Sequence, residues 1–221
     1  MANHHPAPEL LTAFSAGSLQ LSHALCVATH IESCHDCNAN LNRLNTVGAQ
    51  LMSDLKPAAA SDELKNKVLD MLDDTPAAME TRVSKPSVVS SAVPRALRQF
   101  IPTNYDALEW SYVSPSIEAA KLCVDKNGSK VELLRLKPGS TVPTHTHTGD
   151  EYTLLLEGSF SDESGIYQEG DFVIRDGRHK HRPVVTKDKV CICLTVTDAP
   201  IQFTGFFTRW LNPLIRRGHL A

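Results

Sequence analysis

The apolar residues of this chain recur with two different periods, and the change falls across a stretch that neither period can cross. Before it the spacing is helical: Leu10, Leu11 and Phe14; then Leu19, Leu21, Leu25, Val27 and Ile31; then Leu41, Leu44, Val47, Leu51 and Leu55 on one stripe that Pro57 stops. A fourth helix is expected after Ser61 as N-cap, with Asp62 and Glu63 favouring the helix dipole and Leu64, Val68, Leu69 and Leu72 on its buried face. After it the apolar runs shorten to Val131–Leu136, Tyr152–Leu156, Phe172–Ile174 and Val190–Val196. Between these stand turn sequences such as Lys126-Asn127-Gly128-Ser129, Lys137-Pro138-Gly139-Ser140, Glu157-Gly158 and Glu169-Gly170-Asp171. Turn signals this frequent predict a closed antiparallel sandwich or barrel. The dividing stretch, Thr75 to Pro94, is rich in Pro, Ser, Ala and Val, and Pro76, Pro86 and Pro94 break any helix in it. The expected organisation is a helical unit over 1–75, a linker over 76–96, a β unit over 97–200 and a C-terminal extension over 201–221, for which 221 residues are ample.

Charge divides at the same place. Residues 1–75 hold nine acids against four bases, a net of −5, and the whole chain carries −3, so the remainder is +2. A total this close to neutral gives no global electrostatic case for gripping nucleic acid or an anionic membrane and favours a protein partner or small ligand. The start, Met1-Ala2-Asn3-His4-His5-Pro6, has neither a basic region nor a long apolar stretch, and no run approaches the length of a membrane span. A cytoplasmic location is expected. Thiols stay reduced there, so the six cysteines read as metal ligands, redox groups or packing rather than a disulfide frame.

The segment His30-Ile31-Glu32-Ser33-Cys34-His35-Asp36-Cys37 has the form H-x3-C-x2-C. Two thiols in one turn can share an ion that an imidazole reaches from the preceding helix end, the soft sulfur and nitrogen set that zinc prefers. With this composition chance supplies about 0.007 occurrences of the spacing, and no strand precedes it to suggest a thioredoxin-type pair. A fourth ligand is needed. His5 is the choice, with His4, Cys26 and His35 as substitutes.

The run from Gly139 to Gly158 reads G-x5-H-x-H-x3-E-x6-G, with His145, His147 and Glu151 at the named positions. Residues two apart on a strand face the same way, so His145 and His147 can address one ion, and Glu151 follows after a turn. Such donors with an open position suit zinc, iron, manganese or nickel. A second run from Gly170 supplies His181 as the fourth ligand, with Asp176 and Arg178 where a proline and a glycine are usual.

Here the sequence resembles a known family. The first run matches the first cupin motif at every spacing, and the second is similar to the second cupin motif. A zinc-type helical unit followed by a linker and a small cupin resembles the ChrR-type cupin anti-sigma factors over nearly the whole chain. The resemblance implies a four-helix zinc-binding anti-sigma domain followed by an antiparallel β cupin barrel. It implies zinc at His5, His30, Cys34 and Cys37, and a second ion, zinc or another divalent transition metal, at His145, His147, Glu151 and His181. It also implies a 1:1 complex with an extracytoplasmic-function-type sigma factor, which is masked from core RNA polymerase and released when the cupin senses singlet oxygen or related oxidants. No catalysis, no direct nucleic-acid binding and no membrane contact are expected.

The rival class is a cupin dioxygenase or isomerase with a helical appendage, for which Tyr152, Tyr167 and Arg175 are the candidate pocket residues. Cys191 and Cys193, one residue apart on an apolar strand, face the same way and read either as core packing or as a redox pair. A comparable C-x-C in ChrR-type cupins keeps the redox reading, through sulfenylation or a mixed disulfide rather than a strained bridge between the two.

Overall fold

A computed structural model describes residues 2–73, 93–206 and 208–213. Its helices are α1 (Pro8–Ser15), α2 (Leu21–Ser33), α3 (His35–Ser53) and α4 (Asp62–Asp73). Pro8 opens α1, where a missing N–H costs nothing. Cys34 takes an extended conformation (φ −98°, ψ 104°) that ends α2 and serves as N-cap of α3, so the two helices are separated by one residue. At α4 the expected cap is present, the Leu64 N–H donating to Ser61 Oγ at 3.1 Å.

Twelve strands follow among the described residues: β1 (Ser111–Ser114), β2 (Ile117–Val124), β3 (Lys130–Leu136), β4 (His145–His147), β5 (Glu151–Glu157), β6 (Ser159–Asp162), β7 (Gly165–Gln168), β8 (Phe172–Arg175), β9 (Lys180–His181), β10 (Val184–Val185), β11 (Cys191–Thr197) and β12 (Ile201–Phe203). They form a six-stranded sheet in the order β1-β2-β3-β11-β5-β8 and two three-stranded sheets, β10-β6-β7 and β12-β4-β9. The result is the antiparallel cupin-like fold expected, with one difference. The sheets are hydrogen-bonded separately rather than as one closed barrel, because β9 and β10, of two residues each, are too short to carry a ladder around the rim. The Gly158 turn admits no other residue: its φ is +77°, and a Cβ there would lie 2.4 Å from Val190 O.

Two apolar layers meet on the six-stranded sheet. Inside the sandwich Ile117, Leu136, Leu155, Phe160, Val173 and Cys193 pack together. Outside it Leu154, Phe172, Ile192, Leu194 and Val196 meet Leu25, Val27 and Ile31 of α2. Burial on both faces explains why β11 reads as a continuous apolar run, and each such side chain contributes roughly 1.5–3 kcal/mol. Polar contacts fasten the same junction: Ser22 Oγ donates to Asp125, and the Glu32 carboxylate accepts the Arg95 and Ala96 N–H groups at 2.7 Å.

One expectation needs adjustment. Leu64, Val68, Leu69 and Leu72 do not form a buried face; they are 48–74% exposed, as are Val47, Leu51 and Leu55 of the α3 end, because no element among the described residues lies over them. Of the expected linker, 76–92 lies outside the described residues, whereas Val93 and the 3-10 turn Arg95–Leu97 belong to the outer apolar layer. Residues just past 200 form β12, which pairs with β4 and places Phe203 opposite His145.

Candidate metal centres

The break at Cys34 gathers an imidazole and two thiols: His30 in the last turn of α2, Cys34 at the junction and Cys37 in the first turn of α3. The segment before α1 brings His5 to the same point. His5 Nδ1 lies 3.3 Å from Cys34 Sγ and 3.4 Å from Cys37 Sγ, and His30 Nε2 lies 3.3 Å from Cys37 Sγ. Around a tetrahedral zinc with ordinary bond lengths the N···S edge is about 3.5 Å. The set therefore fits zinc without rearrangement. The substitutes are occupied elsewhere: His4 faces Asp171, Cys26 is fully buried in the core, and His35 is exposed beside Asp36.

The electrostatics favour the ligand form of the imidazole. Burial lowers His30 to about 4, opposed by the Gly170 carbonyl that its Nδ1–H meets at 2.9 Å, so the ring is neutral at pH 7 with Nε2 free to bind. Burial, followed by the neighbouring Cys34, pushes the Cys37 thiol up to about 12. A thiolate at that position needs a cation to hold it.

At the other site the register of the β12-β4-β9 sheet does the positioning. His145 pairs directly with His181, and alternation along β4 puts His147 on the same face, while Thr146 turns the other way and donates to His179 O at 2.8 Å. His181 Nε2 lies 3.0 Å from His145 Nε2 and 3.1 Å from His147 Nε2. Each ring has an oxygen behind it at Nδ1: Pro143 O at 2.8 Å from His145, Asp162 Oδ2 at 3.0 Å from His181, and Glu151 Oε2 at 3.5 Å from His147. That arrangement keeps the proton on Nδ1 and aims three lone pairs at one point, the chemistry of a metal cradle. Burial lowers both His145 and His147 to about 4, which keeps them neutral.

Among the described residues these are the two groups whose donor atoms converge, His5, His30, Cys34 and Cys37 in one and His145, His147 and His181 in the other. Glu151 is not drawn into the second set: one carboxylate oxygen faces the back of His147 and the other accepts the Thr153 hydroxyl at 3.0 Å. His179 pairs with Asp176, in keeping with the choice of His181.

Asp162, which the sequence did not single out, is buried behind His181 and also accepts from Arg175 Nη2 at 3.0 Å. Arg175 in turn donates to Tyr167 OH at 2.6 Å, so two of the three pocket candidates are bonded to one another. The third, Tyr152, stacks edge-on against His23 with ring centroids 4.6 Å apart. Cys191 and Cys193 do share a face, with their sulfurs 3.6 Å apart inside the sandwich. The neighbouring Cys191 thiol and burial together hold Cys193 well above the usual thiol range.

Comparison with known proteins places these centres in context. Residues 98–200 match the family described as ChrR Cupin-like domain. The chain is 34% identical over 217 residues to the anti-sigma-E factor ChrR of Cereibacter sphaeroides, covering 96% of this chain and 98% of that protein. Its structure superposes with a TM-score of 0.78 on the crystal structure of Rhodobacter sphaeroides SigE in complex with the anti-sigma ChrR. That match is 31% identical and covers 89% of this chain and all of the solved one. A helical unit with an H-x3-C-x2-C centre, a cupin-like unit with a histidine triad and a relative aligned from end to end make this chain a member of the ChrR family of anti-sigma factors.

Proposed function

We propose that this protein binds an extracytoplasmic-function-type sigma factor as a 1:1 complex, keeps it from core RNA polymerase in the cytoplasm, and releases it when the cupin-like unit meets singlet oxygen or a related oxidant. The observation that carries the reading is the uncovered apolar surface of the helical unit: Leu51, Met52 and Leu55 at the end of α3, and Leu64, Val68 and Leu69 on α4, all 48% exposed or more. A surface of this kind marks a protein-binding site. The relative that superposes on 89% of the chain was solved in complex with SigE, which supports a sigma factor as the occupant.

In this reading residues 1–75 are the sigma-binding domain, 76–96 the linker, 97–200 the sensing domain and 201–221 an extension of it. Zinc at His5, His30, Cys34 and Cys37 supplies structural coordination, and a zinc or other divalent ion sits at His145, His147 and His181. Glu151, expected as a fourth donor, stands instead behind His147 on its Nδ1 side as an outer support of that ring. The role is regulatory rather than catalytic, a reading supported by the internal bonding of the pocket candidates, in which Arg175 donates to both Tyr167 and Asp162. Cys191 and Cys193, both buried, act as packing unless the sandwich opens to an oxidant.

Co-expression with an extracytoplasmic-function sigma factor of the same organism tests the surface. The pair Val68→Asp/Leu69→Asp is expected to leave the chain folded, since neither side chain is buried, and to weaken sigma co-purification by more than about 100-fold, the effect of losing central apolar anchors. Full co-purification of that variant would remove α4 from the interface.

A further inference from the structure

The segment that carries His5 and the helix that carries His30 are both tied to the cupin-like unit at one place, the turn that leads into β8. Gly170 O accepts from His30 Nδ1 at 2.9 Å and so sets which ring nitrogen faces the thiols. Asp171 Oδ1 accepts the backbone N–H groups of Asn3 and His4, while Oδ2 accepts the Gln168 N–H at 2.9 Å and faces His4 Nδ1 at 3.2 Å. The Phe172 N–H closes the contact by donating to His4 O at 3.0 Å, one residue before His5. Asp171 is completely buried, so these contacts form away from competing water.

The far end of the same strand supports the other centre. Arg175 Nη2 donates to Asp162, whose Oδ2 also holds His181 Nδ1 at 3.0 Å. Tyr167 joins the two ends by a second route, its hydroxyl accepting from Arg175 at 2.6 Å and its ring lying 4.7 Å from the ring of His4. β8 is held flat between them by its register with β5, from Leu154 opposite Phe172 to Glu151 opposite Arg175. Four paired residues span about 10 Å and transmit a displacement rather than absorb it.

We propose that Asp171 and Arg175 are positioning residues that couple the two metal centres through β8, so that a change at the His145, His147 and His181 site loosens the His5, His30, Cys34 and Cys37 site. The proposal rests on reading both groups as metal sites. It adds a defined mechanical route between them, and it means that the cupin-like unit supplies the outer support of the N-terminal centre.

The test uses the full-length, metal-loaded chain and reads alkylation of Cys34 and Cys37 by iodoacetamide, resolved by peptide mass spectrometry. Wild-type thiols are expected to react slowly and to become reactive when EDTA is added. Asp171→Ala should raise their rate about 10- to 100-fold, the usual effect of removing the outer partner of a metal ligand. Arg175→Gln touches none of the four N-terminal ligands, yet it should raise the same rate on the order of 10-fold, and Arg175→Lys, which keeps the charge against Asp162, should restore much of the protection. Leu136→Ala is the control for general loosening, being buried on β3, which β11 and β5 separate from β8 in the sheet. It is expected to lower thermal stability without exposing the thiols. Wild-type rates in Arg175→Gln, or equal exposure in Leu136→Ala, would overturn the coupling while leaving the metal assignment intact. Wild-type thiols already as reactive as after EDTA would remove the metal assignment and the coupling with it.

Discussion

His181 is fixed from two directions: Nδ1 donates to the buried carboxylate of Asp162 at 3.0 Å, and Nε2 points at the other two imidazoles 3.0 and 3.1 Å away. A ligand held in this way loses little rotamer freedom on binding, and removing its support usually costs 10- to 100-fold in metal affinity. Asp162→Ala is therefore expected to release the cupin ion on dialysis against a weak chelator while all three histidines remain, measurable as the loss of about one equivalent by elemental analysis. Retention of the full metal content would show that the triad needs no help from this carboxylate. At this scale most of the converging donors were legible because their spacing is local: H-x3-C-x2-C straddles one helix junction and H-x-H lies within one strand. Their supports were not. Asp162 lies 19 residues from His181 in a stretch that reads as an ordinary polar turn, and Gly170 reaches His30 across 140 residues through a backbone carbonyl, which carries no side-chain signal. His5 stood between, chosen over three substitutes by residue type and brought beside Cys34 and Cys37 only by the fold.

The two helices that meet at Cys34 depend on the metal to different degrees. Leu25, Cys26, Val27 and Ile31 of α2 are buried against the six-stranded sheet, whereas Cys37 is the only residue of α3 that is fully buried. Apolar packing holds α2, whereas α3 packs through Leu41 and Leu44 and would depend on a metal at the proposed site for the rest. Stripping the metal is accordingly expected to speed amide hydrogen exchange in the first half of α3 by more than about 10-fold and to leave the middle of α2 nearly unchanged. Equal acceleration in both helices would mean that the ion holds the whole helical unit and that the sheet contact adds little. Element type and rough bounds were readable here from period and punctuation, as the stop before Pro57 and the cap at Ser61 illustrate. What an apolar stripe packs against was not. The stripe of α4 has the same helical spacing as the buried stripe of α2, and nothing in that spacing tells a core within the chain from a surface that awaits a partner.

At the scale of the whole molecule, the helical and cupin-like units share one apolar layer from Leu11 to Val196, so they are not two bodies on a tether in the described structure. Composition and linker signals mark a division, and they are silent on the interface formed by α2 against β5 and β11, which leaves no mark beyond an apolar run on each side. One consequence is that acid should act on both centres together. Burial holds His30 in the helical unit and His145 and His147 in the cupin-like unit down to about 4, whereas the same side chain in an unfolded chain titrates near 6.5. A folded value below the unfolded one means that the unfolded state takes up protons first. The stability these groups contribute is therefore fully present above about 6.5 and is lost as pH falls toward about 4. The buried carboxylates do not offset this: Asp162 and Asp171 are lowered from ordinary acid values, so their contributions fade only below that window. The metal-free chain should thus keep a constant melting temperature from pH 8 to 7 and lose several degrees between pH 7 and 5, in a single transition monitored by circular dichroism. With metal bound the loss should begin at lower pH and steepen, because protons must then displace an ion from neutral imidazoles. Two separate transitions, with only the helical signal moving with pH, would show that the shared layer does not bind the units into one cooperative body.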